Sequence, residues 1–116
     1  MSLPSVLDAW SSRPAIRAAA VVSEDGLLVH DLLDAGTDGE AVAALAVTVV
    51  RHARQLGEAH GDAEVRTVVL DRPAGPAILS PIDERHTLVV FARADRDIGP
   101  LLFDIRRSRE SLGQSI

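Results

Sequence analysis

Residues 37–60, TDGEAVAALAVTVVRHARQLGEAH, decide the fold. Between Ala41 and Ala53 every residue is Ala, Val, Leu or Thr except Arg51 and His52. Val42, Leu45, Ala46, Val49, Ala53 and Leu56 recur at helical spacing, which predicts one long helix with a core stripe centred near Val42 and Val49. The run is too long for a buried strand, and neither glycine nor proline breaks it. Thr37 is the expected N-cap, with Glu40 reaching back to complete a capping box. Gly57 or Gly61 ends the helix.

At about 100° per residue, the side opposite that stripe holds Glu40, Ala44, Val47, Arg51, Arg54 and Glu58, flanked by Ala43 and Val50. An ordinary surface helix is polar there. Small apolar residues on this side predict two packing partners, the chain's own sheet and a second subunit. If two copies of the helix pack antiparallel about a two-fold axis near Val47, Glu40 faces Arg54 of the partner subunit. Ala43 then faces Arg51 of the partner subunit. A parallel pairing would set arginine against arginine.

Outward from this helix, short strands are expected on both sides. Ile16 to Ser23 is a small apolar run suited to a strand covered on both faces. Glu24-Asp25-Gly26 turns it into a second strand, Leu27 to Leu32, as a hairpin. Beyond the helix, Glu64 to Arg72, Pro76 to Ile82 and His86 to Arg93 read as three strands joined by short turns. Their prolines fall at strand ends, where a missing N–H is tolerated. Leu3 to Ser12 is a first helix with Val6, Leu7 and Trp10 on one side, ended by Pro14. Asp97 caps a last helix with Pro100 in its first turn and Ile98, Leu101, Leu102 and Ile105 inside. From Gly113 to Ile116 the tail is expected to fray. The order α-ββ-α-βββ-α gives an α+β domain over residues 1–116. Its five-stranded sheet is antiparallel because the turns are too short for crossovers.

Composition narrows the function. At 116 residues and 47% hydrophobic, the chain is expected to bury one core. A net charge of −5 argues against a nucleic-acid footprint. All twelve basic residues are arginine, and the cluster Arg106, Arg107 and Arg109 reads as a solvated helix end. With no cysteine, disulfides and thiolate metal sites are excluded. Met1-Ser2-Leu3-Pro4 carries no secretory pattern, and no apolar run approaches a membrane span, so the cytoplasm is expected.

Catalytic and cofactor signatures are missing. There is no GxxxxGK[ST] loop and no GxGxxG spacing, and no GxSxG elbow. His30, His52, His60 and His86 form no HxxxH or HExxH pair, so no metal site is expected. The acidic cluster Asp31, Asp34, Asp38 and Glu40 lacks the spacing of a calcium loop and reads as a solvated approach to a helix N-terminus.

Three segments, taken together, resemble the Roadblock/LC7 family. They are the hairpin Val21-Val22-Ser23-Glu24-Asp25-Gly26-Leu27-Leu28-Val29, the alanine-rich Glu40-Ala41-Val42-Ala43-Ala44-Leu45-Ala46, and Ala94-Asp95-Arg96-Asp97-Ile98-Gly99-Pro100-Leu101-Leu102 before the last helix. The resemblance spans nearly the whole chain in the right order. It implies a non-enzymatic homodimer or heterodimer, joined edge to edge through the third strands with the long helices side by side. It also implies a regulator or scaffold of Ras-like small GTPases, of the bacterial gliding-polarity type or the dynein light-chain type, with no cofactor and no catalytic residue to carry over. The expected interface is Glu40, Ala43, Ala44, Val47, Val50, Arg51 and Arg54 on the helix, with Val65, Thr67 and Val69 on the third strand. The alternative is a small-ligand-sensing domain of the PAS or profilin type, which would need a pocket with converging polar groups.

Overall fold

In the computed structural model, which describes residues 2–114 and 116, the elements follow the expected order. They are α1 (Leu3–Ser11), β1 (Ile16–Ser23), β2 (Leu28–Leu32), α2 (Gly39–His60), β3 (Val68–Leu70), β4 (Ala77–Pro81), β5 (His86–Ala92) and α3 (Gly99–Gln114). The five strands form one antiparallel sheet in the order β2-β1-β5-β4-β3. The last helix runs to Gln114, so the fraying expected from Gly113 begins no earlier than there, and Ser115 lies outside the described residues.

The sheet is covered on both faces because its central strands alternate between two apolar cores. Ala19 and Val21 of β1, Ile78 of β4, and Leu88 and Val90 of β5 face α1 and α3, where Leu7, Trp10, Ile105 and Leu112 are buried. Ala20, Val22, Leu79 and Val89 point the other way, to α2. The alanines of β1 let both layers come close. At roughly 1.5–3 kcal/mol per fully buried aliphatic side chain, these two layers hold the sheet.

Helix α2 departs from the sequence reading in its rotation and its start. The residues pressed on the sheet are Ala43, Ala46 and Val50, so the core line is turned by about 80° from the expected Val42–Val49 line. Ala43 is 0% exposed and Val50 3%. Both therefore belong to the chain's own core and are unavailable as interface residues. The small residues face inward because they allow the helix to sit close over β1 and β5, and the larger leucines swing aside. The N-cap is Asp38, not Thr37: its carboxylate accepts the N–H of Ala41 at 3.1 Å. Glu40 then falls one position short of a capping box.

The far end of α2 is Gly61, in the left-handed region at φ 108°. Its N–H donates to Glu58 O at 3.0 Å and that of Asp62 to Gly57 O at 2.9 Å, a Schellman closure. Gly57 thus lies inside the helix.

Candidate interaction surface

Strand β3 is an edge, as expected, but it is three residues long, not the nine of Glu64 to Arg72. Its ladder pairs Val68 with Leu79, Val69 with Ile78 and Leu70 with Ala77. On β4 and its flanks, Ile82 N bonds to His86 O and Ala92 N to Pro76 O. Even-numbered positions there turn their backbone groups to β5, and Ala77, Leu79 and Pro81 turn theirs to β3. By the same alternation, Val69 in the strand, with Thr67 and Asp71 beside it, presents N–H and C=O groups away from the sheet. That row is open for another strand.

Beside this edge lies an apolar groove. Its walls are Val42, Leu45 and Val49 of α2, and Leu70, Ala77, Leu79 and Phe91 of the sheet, enclosing about 170 Å³. Leu45 is 61% exposed and Leu56, further along the same flank, 76%. A second, larger cleft of about 760 Å³ lies between the end of α2 (Ala53, Leu56, His60) and residues 62–68. Val65 and Thr67 line that cleft, and Val69 is exposed on the other face of the edge.

The expected helix residues lie elsewhere. Ala44 sits over Gly26 in the β1–β2 turn. Val47, Arg51 and Arg54 border a small cleft with Glu24, Asp83, Glu84 and His86, on the β1–β2 and β4–β5 turns. This flank, with exposed Glu40, looks away from β3. The structure thus groups Val65, Thr67 and Val69 at the open edge, and it sets Glu40, Ala44, Val47, Arg51 and Arg54 on the opposite flank of α2. Of the stripe that sequence reasoning assigned to the core, Ala46 is buried and Val42 and Val49 are half-buried against the sheet, whereas Leu45 and Leu56 are exposed on this flank. One sequence signal could have found this: the alanines favour the tight contact, and the leucines the looser one.

In the turn beside Arg51, Asp83 accepts the Arg85 N–H at 2.7 Å and contacts His86 Nδ1 at 3.0 Å. Burial pushes the Asp83 carboxyl up, but the Arg85 N–H and then His86 outweigh it, and its pKa lies below the ordinary carboxylate value.

The arginine cluster of α3 is not uniformly solvated. Arg107 pairs with Asp104 at 3.2 Å and stacks on Phe103. Arg109 turns under the sheet, where its Nη2 donates to the carbonyl of Arg66 and, at 3.3 Å, to Ser80 Oγ. Burial, then the charge of Arg66, lowers the Arg109 pKa from its usual value.

Among the described residues, no group of three or more His, Cys, Asp or Glu could hold a metal ion, and no helix is long and apolar enough to cross a membrane.

The family model of the Roadblock/LC7 domain matches residues 5–92. The chain belongs to the Roadblock/LC7 family. A comparison with curated proteins gives no match. Among solved structures, a Roadblock/LC7 domain from Streptomyces avermitilis is similar at 25% identity and a TM-score of 0.86, over 98% of this chain and 97% of that one. Myxococcus xanthus MglB has the same fold at 17% identity and a TM-score of 0.88, over 97% of this chain and 92% of that one. An MglB described with a tetrameric arrangement is similar at 16% identity and 0.86, over 97% and 86%. These likenesses show that the chain has the Roadblock/LC7 fold over nearly its whole length.

Proposed function

We propose that the chain is a non-catalytic, dimeric regulator or scaffold of a Ras-like small GTPase. The observation that carries the dimer is the open β3 edge lying directly beside an apolar groove on α2. A second copy can add its own β3 antiparallel to this one, using the free groups of Thr67, Val69 and Asp71. With the two-fold axis at Val69, Thr67 meets the partner subunit's Asp71. The partner's α2 then crosses the groove and covers Leu45, Val49 and Leu56. An edge and a groove left in water would be an aggregation hazard, and one pairing removes both.

This places the helix contact on the flank of Leu45, not on that of Arg54. The expected pairing of Glu40 with Arg54 of the partner subunit is replaced by an apolar contact. The GTPase reading rests on family membership and on the similarity to MglB, since the chain shows no nucleotide cradle of its own. The test is co-purification of the protein with small GTPases of its host, loaded with GDP or with a GTP analogue. Nucleotide-dependent retention of one of them supports the reading. Retention of none in either state overturns it.

A further inference from the structure

Strand β3 stops at Val68 for a reason found on its neighbour. In the β3–β4 register Leu70 faces Ala77 and Val68 faces Leu79. Two residues further, the same register sets Arg66 opposite Pro81, the last residue of β4. Pro81 is one of the positions that turn toward β3, so an N–H there would continue the ladder to the carbonyl of Arg66. Proline has none.

The donors come from side chains instead. Ser80 Oγ donates to Arg66 O at 3.0 Å, and Arg109 Nη2 donates to the same oxygen and reaches Ser80 as well. Ser80 is 2% exposed. Three side-chain polar atoms among the described residues are buried without a partner, and two of them, Thr67 Oγ1 and Arg109 Nε, belong to residues of this corner. Arg109 is half-buried, and its Nε lies out of water without a bond, which carries a desolvation cost. Its bonds to Arg66 and Ser80 offset that cost, together with the charge of Glu64. Arg109 sits on α3, beyond Ala92, where the family match ends.

We propose that Arg109 is a positioning residue that substitutes for the ladder donor missing at Pro81, so that α3 holds the approach to the β3 edge in place. Thr67 follows Arg66 directly and offers the first free backbone groups of that edge. Fixing the Arg66 carbonyl fixes where Thr67 presents them. Helix α3 thereby controls the edge without forming part of it. The consequence for pairing rests on the dimer reading above, whereas the anchoring itself does not.

The test is amide hydrogen exchange over residues 64–68 in the wild type, Arg109→Ala, Arg109→Lys, Ser80→Ala and the double variant Arg109→Ala/Pro81→Ala. Arg109→Ala is expected to speed exchange there at least tenfold and to leave β1 and β5 protected. Arg109→Lys recovers part of the protection, because an ammonium can still donate to the carbonyl. In the double variant the backbone N–H restored at position 81 is itself protected, and residues 64–68 slow again. Unchanged exchange in Arg109→Ala overturns the proposal. So does a double variant as fast as the single one. If Arg109→Ala does not fold, Arg109→Lys and Ser80→Ala decide by the same criterion. Self-association of Arg109→Ala should weaken about tenfold. A wild type that is monomeric overturns the dimer reading but leaves the exchange result to decide the anchor.

Discussion

Gly57 and the carbonyl of Asp62 are in contact across the end of α2: a Cβ on Gly57 would stand 2.2 Å from that oxygen. An interior helical glycine usually destabilises by about 1 kcal/mol relative to alanine. Here the gain is unavailable, because the returning chain occupies the space. Gly57→Ala should cost about 1–3 kcal/mol, the range of an overpacked contact. Urea unfolding checks the sign, and a stabilised variant would show that the Schellman turn is not packed as described.

The start of α2 gives a second test. Asp38 accepts from the Ala41 N–H at 3.1 Å, so Asp38→Ala should cost about 1 kcal/mol. Thr37→Ala should stay within about 0.5 kcal/mol. Equal losses from the two, read from urea midpoints, would return the cap to Thr37.

At the other face, Arg13 ties the end of α1 to α3. Its guanidinium bonds to Asp104 and lies 4.6 Å from the centre of the Trp10 ring. Asp104 also holds Arg107 at 3.2 Å. Asp104→Asn removes the charge from both pairs and should cost about 1 kcal/mol, less at high salt. Thermal unfolding at two salt concentrations measures it. A loss independent of salt would make the contact one of packing.

Asp83 predicts the acid limb. Its pKa is lowered from 3.8 because the Arg85 N–H and His86 more than offset burial. The folded state then holds its proton less tightly than the unfolded chain. The stability it contributes is present above about pH 4 and is lost as the pH falls through the folded pKa, below 3.8. Asp83→Asn should therefore be less stable than wild type at pH 6, with the gap closing below pH 3.8. Denaturant titrations at several pH values follow the gap, and one that widens in acid would contradict the assignment.

Much of this fold is legible because local signals agree. Ala18 to Val22 must lie between two layers, Gly26 marks the hairpin, and the prolines bound β4. The rotation of α2 was not legible from periodicity. Apolar residues cover so much of its circumference that hydrophobicity alone does not choose a centre, and side-chain size decides it. Alanines 43 and 46 permit the close approach that Leu45 would block. The short β3 was hidden for another reason. The stretch Glu64 to Arg72, apolar at Val65 and from Val68 to Leu70, specifies a strand, but its neighbour supplies no N–H at Pro81, a constraint that appears only once the register is known. Arg109 was hidden too, since its partner is a main-chain carbonyl 43 residues away. At the proposed interface, Thr67 and Val69 follow from the family resemblance and the third strand, whereas Leu45 and Leu56 were assigned to the inside.

The central claim is that two copies pair through β3 and the α2 flank of Leu45, and sedimentation equilibrium of three proteins tests it most directly. At tens of micromolar the wild type should sediment at twice the 12.3 kDa chain mass. Leu45→Asp, which changes a side chain already 61% exposed, should sediment as a folded monomer. Arg54→Glu, on the opposite flank, should remain a dimer. A wild type at the single-chain mass would contradict the account, as would a dimer that survives Leu45→Asp and dissociates with Arg54→Glu.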